Sequence, residues 1–446
     1  MLAARAQSTR RTTIINLGAL ALALCWFGLI ATTLIPDPDK NDFGIYRKGV
    51  MSFLRSGDPY LLISGQEAAP SQTEDDTAAN NYIYPPLLAY LLQPFALVDE
   101  RQGQLIWFGL NGAMLSGLIV LSIRLSNSVL ARRYWGLVAL GTLIIPPTRL
   151  GLQLGQTGIL LAFLIVASLA LARRRAGVSG LLLALASLIK LYPAFLGIYY
   201  ALHRPRRVLW WSIIAGVLLL GLSVVAYGIT PYISYLQRLR GGSHHAYAAE
   251  FNTSLYGLWS RLFVPNHFGI QVANLPLLAT ILTALTGLGV LGLCIWTGAD
   301  AADDLAAQLQ HGVWLCAMML LSPLNGLYNL VLLLLPLLVI LHYLEQHPDR
   351  GVRNWLIVAT ALICVRPLWS EWSPALDNFV HIGWGLLLLA PPFYGLLIYL
   401  VLLALLARRC RKAADSMHSA GTQANERSLA GRTILADDAR ARRTNA

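Results

Sequence analysis

The stretch "IINLGALALALCWFGLIATTLI" (Ile14–Ile35), followed after five residues by "NDFGIYRKGVMSFLRSGDPY" (Asn41–Tyr60), decides how this chain is read. The first piece is long and apolar enough to cross a bilayer, which takes about 20 residues. It shows no small-residue cleavage site ahead of a soluble domain and reads as a retained anchor. The second piece sets Asp42, Arg47, Lys48, Arg55 and Asp58 within a few turns of one another at the mouth of that helix. Phe43, Tyr46, Val50, Phe53 and Leu54 recur at helical spacing, so Asp42 onward predicts an amphipathic helix lying at the membrane surface. Asp42 stands at or just before its N-terminus. The plain reading is a helix cap, a role aspartate fills well; a carboxylate so placed also suits a general base, and the two roles are compatible.

The rest of the chain agrees with a membrane setting. Of 446 residues, 56% are hydrophobic and 13% charged, with mean hydropathy +0.57, whereas soluble domains carry roughly a quarter charged residues. A formal charge of +12 would allow a nucleic-acid partner. The basic residues, however, fall in short clusters beside apolar runs, "STRR", "ARR", "RRR", "RPRR" and "RRCRK", which is the pattern of cytoplasmic membrane flanks. Cys25, Cys294, Cys316, Cys364 and Cys410 show no ligand spacing, so neither a disulfide framework nor a metal site is expected.

Apolar runs place candidate spans at 14–36, 104–124, 134–150, 156–172, 176–190, 193–203, 208–229, 275–297, 311–323, 326–344, 355–367 and 380–406. The expected fold is therefore an all-α polytopic membrane protein of about 12 helices, with residues 1–13 cytoplasmic, 14–406 the membrane domain, and 407–446 a cytoplasmic tail expected to be disordered. Positive flanks set the N-terminus inside. The loop regions 37–103 and 230–270 then face outside, as do "RLGLQLGQTG", "SPLNGLYN" and "RPLWSEWSPALDN". Pro85 to Val98 is too short to cross and is expected to be interfacial or re-entrant. The segment 176–203 must go out and return, with "LIKLYP" at its tip, where Pro193 breaks the helix.

On this topology the unusual polar residues share the outer face. Lys190 is one of four lysines in the chain; inside an apolar hairpin it either snorkels to the interface or meets an anion, for which a compact ammonium is suited. "LGQTG" contributes Gln156, and "FNTSLYGLWSRL" contributes Asn252, Ser254 and Arg261. Together with Arg47 and Lys48 these are candidates to bind a phosphate or a sugar. Tyr46, Asp58, Tyr84, Tyr328 and Asn329 are secondary candidates, Asp58 being the natural organiser of a turn before Pro59. His244 and His245 lack the spacing and companion carboxylates of a metal site and are given no ligand role. "DPDKND" could imitate a metal-binding acidic pair, but it lies against the membrane, and no metal is assigned.

Taken in order, "DFGIYRKG…SGDPY", "YIYPPLLAYLLQPFAL", "LGQTGILLAFLIVASLALARRRAGVSGLLLALASLIKLYPAFL", "FNTSLYGLWSRL" and "LSPLNGLYNLVLLLLPLL" resemble the bacterial polyprenyl-phosphate-mannose-dependent mannosyltransferases. These are integral-membrane enzymes of the glycosyltransferase-C superfamily, of the family 87 type, and the likeness spans roughly residues 14 to 405. The resemblance implies a polyprenyl-phosphate-sugar donor entering from the membrane and a hydroxyl acceptor on a lipid, glycan or other cell-envelope molecule. It further implies a site on the periplasmic or outer side of the bacterial inner membrane. It makes Asp42 the base, matches Lys190 to the family's lysine, and matches Asn252 and Ser254 to its "NQS"-like element, with Thr253 in place of Gln. It implies inversion without a cofactor or metal; the leaving phosphate needs charge stabilisation rather than an acid, and the acceptor hydroxyl needs a base. Many members carry histidine after the Ser-Pro where this chain has Tyr328 and Asn329, a departure that bears on any histidine-assisted step. The alternatives are an arabinofuranosyltransferase of the same fold, a transporter or flippase of lipid-linked sugars, and a non-catalytic assembly partner. Transporters tend to show repeats and midplane charges, and neither is apparent in this sequence.

Overall fold

The computed structural model describes residues 2–35, 41–61, 82–203, 205–241, 247–298, 304–365 and 374–413. Asp37, Asp39, the acidic insert after Leu61, His244, His245 and the chain beyond Ala413 lie outside the described residues. The helices in chain order are α1 (Leu2–Leu29, prolonged by a wide turn over Ile30–Leu34), α2 (Asp42–Ser56), α3 (Pro86–Leu91), α4 (Glu100–Ser126), α5 (Val129–Arg133), α6 (Trp135–Ile144), α7 (Pro146–Leu154), α8 (Gly158–Leu171) and α9 (Ala176–Ile189). They continue as α10 (Leu196–Leu202), α11 (Arg207–Tyr227), α12 (Thr230–Gly241), α13 (Leu255–Phe263), α14 (Pro276–Trp296), α15 (Asp304–Leu321), α16 (Leu334–Gln346) and α17 (Arg350–Cys364). A short helix over Pro374–Val380 and a long C-terminal helix over Pro391–Ala413 complete them.

Among the described residues six helical stretches are long and apolar enough to span a bilayer: Arg10–Thr33, α4, α11, α14, Leu327–Gln346 and Pro391–Ala413. A seventh results if α6 and α7, bent by 62° at their junction, act as one. The bend has a local cause. Pro146 offers no N–H to α6 and forces Ile145 into an extended conformation (ψ 142°). Of the twelve crossings expected from the sequence, these six or seven are matched by helices of spanning length; others of the expected spans are shorter apolar helices, among them α8 and α9 at 14 residues each and α10 at 7. The expected hairpin tip also differs in detail. The helix breaks at Lys190, which is extended at φ −152° and ψ 133°, three residues ahead of Pro193.

Two ends of the bundle can be told apart. At one end Glu345, at the close of α16, accepts hydrogen bonds from Ser128 Oγ and the backbone N–H groups of Val129 and Leu130 (2.6–2.9 Å). The same end gathers Arg173 with Asp304 (2.8 Å), Arg409 with Asp349 (3.0 Å), and His203 bonded to the carbonyl of Gly298 (3.0 Å). Asn16 closes it from α1, donating to the Arg133 carbonyl and accepting from the Gly136 N–H. Gly136 permits this approach, since a Cβ there would lie 2.4 Å from the Asn16 carbonyl oxygen. Such small-residue contacts suit helix packing in lipid, where apolar burial gives little drive. The opposite end holds the end of α1, all of α2, the start of α4, the starts of α8 and of Leu327–Gln346, and the end of α9.

The apolar face of α2 is turned into protein. Phe43, Tyr46 and Val50 are fully buried, and only Leu54 remains open. Phe43 packs on Phe95 and Trp107, Tyr46 on Tyr84 and Trp107, and Phe53 on Tyr90 and Tyr227.

Candidate active site

The helix α2 is capped by Asn41, whose Oδ1 accepts from the Gly44 N–H at 2.9 Å. Asp42 is therefore the first helical residue and not the cap, so its carboxylate is left for another role. It is half-buried, with the side chain of Gln156 beside it. Burial raises its pKa from 3.8 to about 6, against the lowering effects of Gln156, of the positive charge of Lys190 and of its own backbone N–H. A carboxyl so poised is ionised at neutral pH yet more basic than an ordinary aspartate, as a general base requires.

Gln156 comes from the turn between α7 and α8. Gly155 makes that turn at φ +67°, and its missing Cβ leaves room for Phe43, whose own Cβ would otherwise be 3.1 Å away. Trp107 of α4 fixes the turn by donating its indole N–H to the Gly155 carbonyl at 2.7 Å. Gln156 Oε1 accepts from the hydroxyls of Tyr84 (3.2 Å) and Tyr46 (3.4 Å), whose oxygens lie 3.1 Å apart.

Lys190, half-buried at the end of α9, sets its ammonium 5.5 Å from the Tyr84 ring centroid, 5.8 Å from that of Tyr192 and 5.6 Å from that of Tyr328. Three electron-rich faces hold the cation without neutralising it. The pocket therefore joins one accessible carboxylate to one caged ammonium through a shared wall, Tyr84. Of the residues singled out from sequence, the fold unites Asp42, Tyr46, Tyr84, Gln156, Lys190 and Tyr328 here.

The others sit elsewhere. Arg47 and Lys48 are off the 42–46–49–50 face of α2; Arg47 donates to the Val98 carbonyl at 3.1 Å and lies 3.9 Å from Glu100. Asp58 organises its turn, accepting from the Tyr60 N–H at 2.9 Å, and its other carboxylate oxygen accepts from Ser234 Oγ of α12. Asn252, Ser254 and Arg261 form a separate, fully buried cluster. Asn252 donates to the carbonyls of Tyr247 (2.8 Å) and Pro323 (3.0 Å) and accepts from the Asn325 N–H (2.9 Å). Ser254 caps α13 through the Gly257 N–H and donates to the Pro323 carbonyl. Arg261 donates to the carbonyls of Ala249 and Asn252. With Thr253 and Asn325 bonded through backbone and side chain, the two loops pair as a short antiparallel bridge.

That cluster supports the pocket from behind. Asn329 donates to Asn325 Oδ1 at 3.1 Å, and the Tyr328 carbonyl and Asn329 side chain abut Gly158 at the start of α8. Two residues escaped the sequence reading. Tyr192 completes the cage, signalled only by its place two residues after Lys190, and Asn325 ties the loops, hidden inside the quoted "SPLNGLYN". Among the described residues no three His, Cys, Asp or Glu side chains are grouped to hold a metal ion.

Comparison with known proteins agrees in kind. The model of glycosyltransferase family 87 matches residues 82–323. A protein of Mycobacterium tuberculosis (strain CDC 1551 / Oshkosh) described as polyprenol-phosphate-mannose-dependent alpha-(1-2)-phosphatidylinositol pentamannoside mannosyltransferase is 26% identical over 380 residues, covering 83% of this chain and 81% of the relative.

Proposed function

The chain belongs to glycosyltransferase family 87, and from that premise we propose that this membrane glycosyltransferase moves a sugar, mannose in the first instance, from a polyprenyl phosphate to a hydroxyl of a lipid or other cell-envelope acceptor. The single observation that carries the reading is the pairing of Asp42, half-open and more basic than usual, with the caged ammonium of Lys190 across Tyr84. In the proposed reaction Asp42 takes the proton of the acceptor hydroxyl as its oxygen bonds to the anomeric carbon. The bond from that carbon to the donor phosphate oxygen breaks on the opposite face, giving inversion. The departing phosphate carries the charge that Lys190 offsets. A phosphate needs no proton to leave, so one carboxylate suffices, and no metal takes part in this scheme.

The proposed orientation puts the site outside the cytoplasm. Arg132, Arg133, Arg173 to Arg175, Arg206, Arg207 and Arg409 belong to the bundle end away from Asp42, and positive flanks stay in the cytoplasm. The bacterial inner membrane is the corresponding location.

The test is transfer by the purified full chain from synthetic short-chain polyprenyl-phosphate-mannose to a bacterial membrane-lipid extract, with the anomeric configuration of the product read by NMR. An inverted mannosyl product is expected. Failure to transfer from that donor or from its arabinofuranosyl counterpart overturns the reading, and transfer from the latter alone reassigns the sugar.

A further inference from the structure

The side-chain amide of Gln156 has two ways round, and its neighbours permit one. Tyr46 and Tyr84 direct their hydroxyls at Oε1, at 3.4 and 3.2 Å. The carboxylate of Asp42 neighbours the same side chain and, when ionised, can only accept. Rotating the amide would set Oε1 against that carboxylate, acceptor on acceptor. Gln156 is 4% exposed, so water offers no substitute, and its backbone is held from behind by an N–H bond to the Gly151 carbonyl at 2.9 Å.

We propose that Gln156 is a positioning residue for Asp42: with its carbonyl held by the Tyr46 and Tyr84 hydroxyls, it turns its amide N–H to the carboxylate and fixes which carboxylate oxygen is presented to the acceptor. This rests on the reading of Asp42 as the base. The two tyrosines act at one remove, and both stay protonated because burial raises their pKa values. The titratable groups facing Asp42 are Lys190 from the end of α9, Tyr46 from its own helix, Tyr84 from the segment ahead of α3, and Tyr328 ahead of α16. Lys190 supplies charge, whereas Gln156 supplies direction and a donor.

The test is an infrared pH titration of the full chain in lipid without substrate. The protonated-carboxyl band of Asp42 is assigned by its loss in Asp42→Asn. In the unaltered protein the band should vanish near pH 6. In Gln156→Met, which keeps the volume but removes the donor, the midpoint should rise by about one pH unit, the scale of a hydrogen bond to a charged group. The acid limb of the transfer-rate profile should rise in parallel. Tyr46→Phe/Tyr84→Phe, which frees the amide, should move the midpoint in the same direction by less, and it decides the matter if Gln156→Met fails to fold. An unmoved midpoint in the variant that folds overturns the inference. Near-normal transfer by Asp42→Asn instead overturns the base reading and leaves the titration standing, so the two failures are distinguishable.

Discussion

Asp42→Asn separates a catalytic carboxylate from a structural one, and the structure gives opposite signs for its two effects. Because Asn41 holds the cap, the substitution leaves the start of α2 intact. The wild-type carboxyl is raised from 3.8 to about 6 in the fold. The folded protein therefore keeps a proton that the unfolded chain has released, and stability falls as pH rises from about 4 to about 6, then levels. At about 1.4 kcal/mol per pH unit that rise corresponds to about 3 kcal/mol, and the partial exposure of Asp42 reduces it to about 1–2 kcal/mol. Asp42→Asn should thus be as stable as wild type below pH 4 and more stable above pH 6. Its transfer rate should drop by about a hundredfold to ten-thousandfold, the usual cost of losing a general base. Wild-type transfer should climb through about pH 6 as Asp42 ionises, and the variant's residual rate should lack that step. Thermal unfolding and transfer, both across pH in one detergent, read these outcomes. A near-normal rate removes the base assignment; a variant less stable at neutral pH shows that Asp42 holds the fold together, contrary to the burial argument.

Two further changes probe the pocket walls. Lys190→Ala should lower donor use by roughly a hundredfold or more, the loss expected when a preorganised charge partner is removed, and Lys190→Arg should recover it in part, because the cage accepts a planar cation but not in the same place; unchanged kcat/KM for the donor in Lys190→Ala would leave the lysine a mere interface anchor. Gly155→Ala should cost about 1–2 kcal/mol from its left-handed backbone and more from crowding Phe43, visible as a lower unfolding temperature, and an unaltered temperature would show that the α7–α8 turn does not depend on that glycine.

Much of this was legible in the residues, and what was missed has a common cause. The apolar runs located the long helices, and the helical spacing of apolar residues in "DFGIYRKGVMSF" gave α2. Periodicity reports that a face is apolar but not what covers it, because lipid and protein interior are both apolar surroundings. Hence the spacing in α2 does not tell that Tyr84, Tyr90, Phe95 and Trp107 take its apolar side. Nor does an apolar run give its helix length: α8, α9 and α10 have 14, 14 and 7 residues, because glycines, prolines and polar turns break the runs that hydropathy alone joins. Polar residues carried more information. Asp42, Gln156, Lys190 and Tyr328 stood out against apolar surroundings and meet in the fold. Asn252, Ser254 and Arg261 stood out equally, but their partners are backbone carbonyls, which no composition or spacing reveals.

That division follows from what a polar loop must do at the end of a helical bundle. A backbone that leaves the helix inside an apolar surrounding has to find partners for its N–H and C=O groups. "FNTS" and "SPLNGLYN" find them in each other, through Thr253 and Asn325. Once paired, they form a rigid floor that seats Tyr328 against the Lys190 ammonium and Asn329 against the start of α8. The Asp42–Lys190 pocket can then keep a half-open carboxylate and a caged cation, neither bonded directly to the other, because the work of holding the loops is carried by residues that touch neither. Side chains spent on structure and side chains left for chemistry look alike in the sequence; in the fold they differ in whether their polar atoms already have partners.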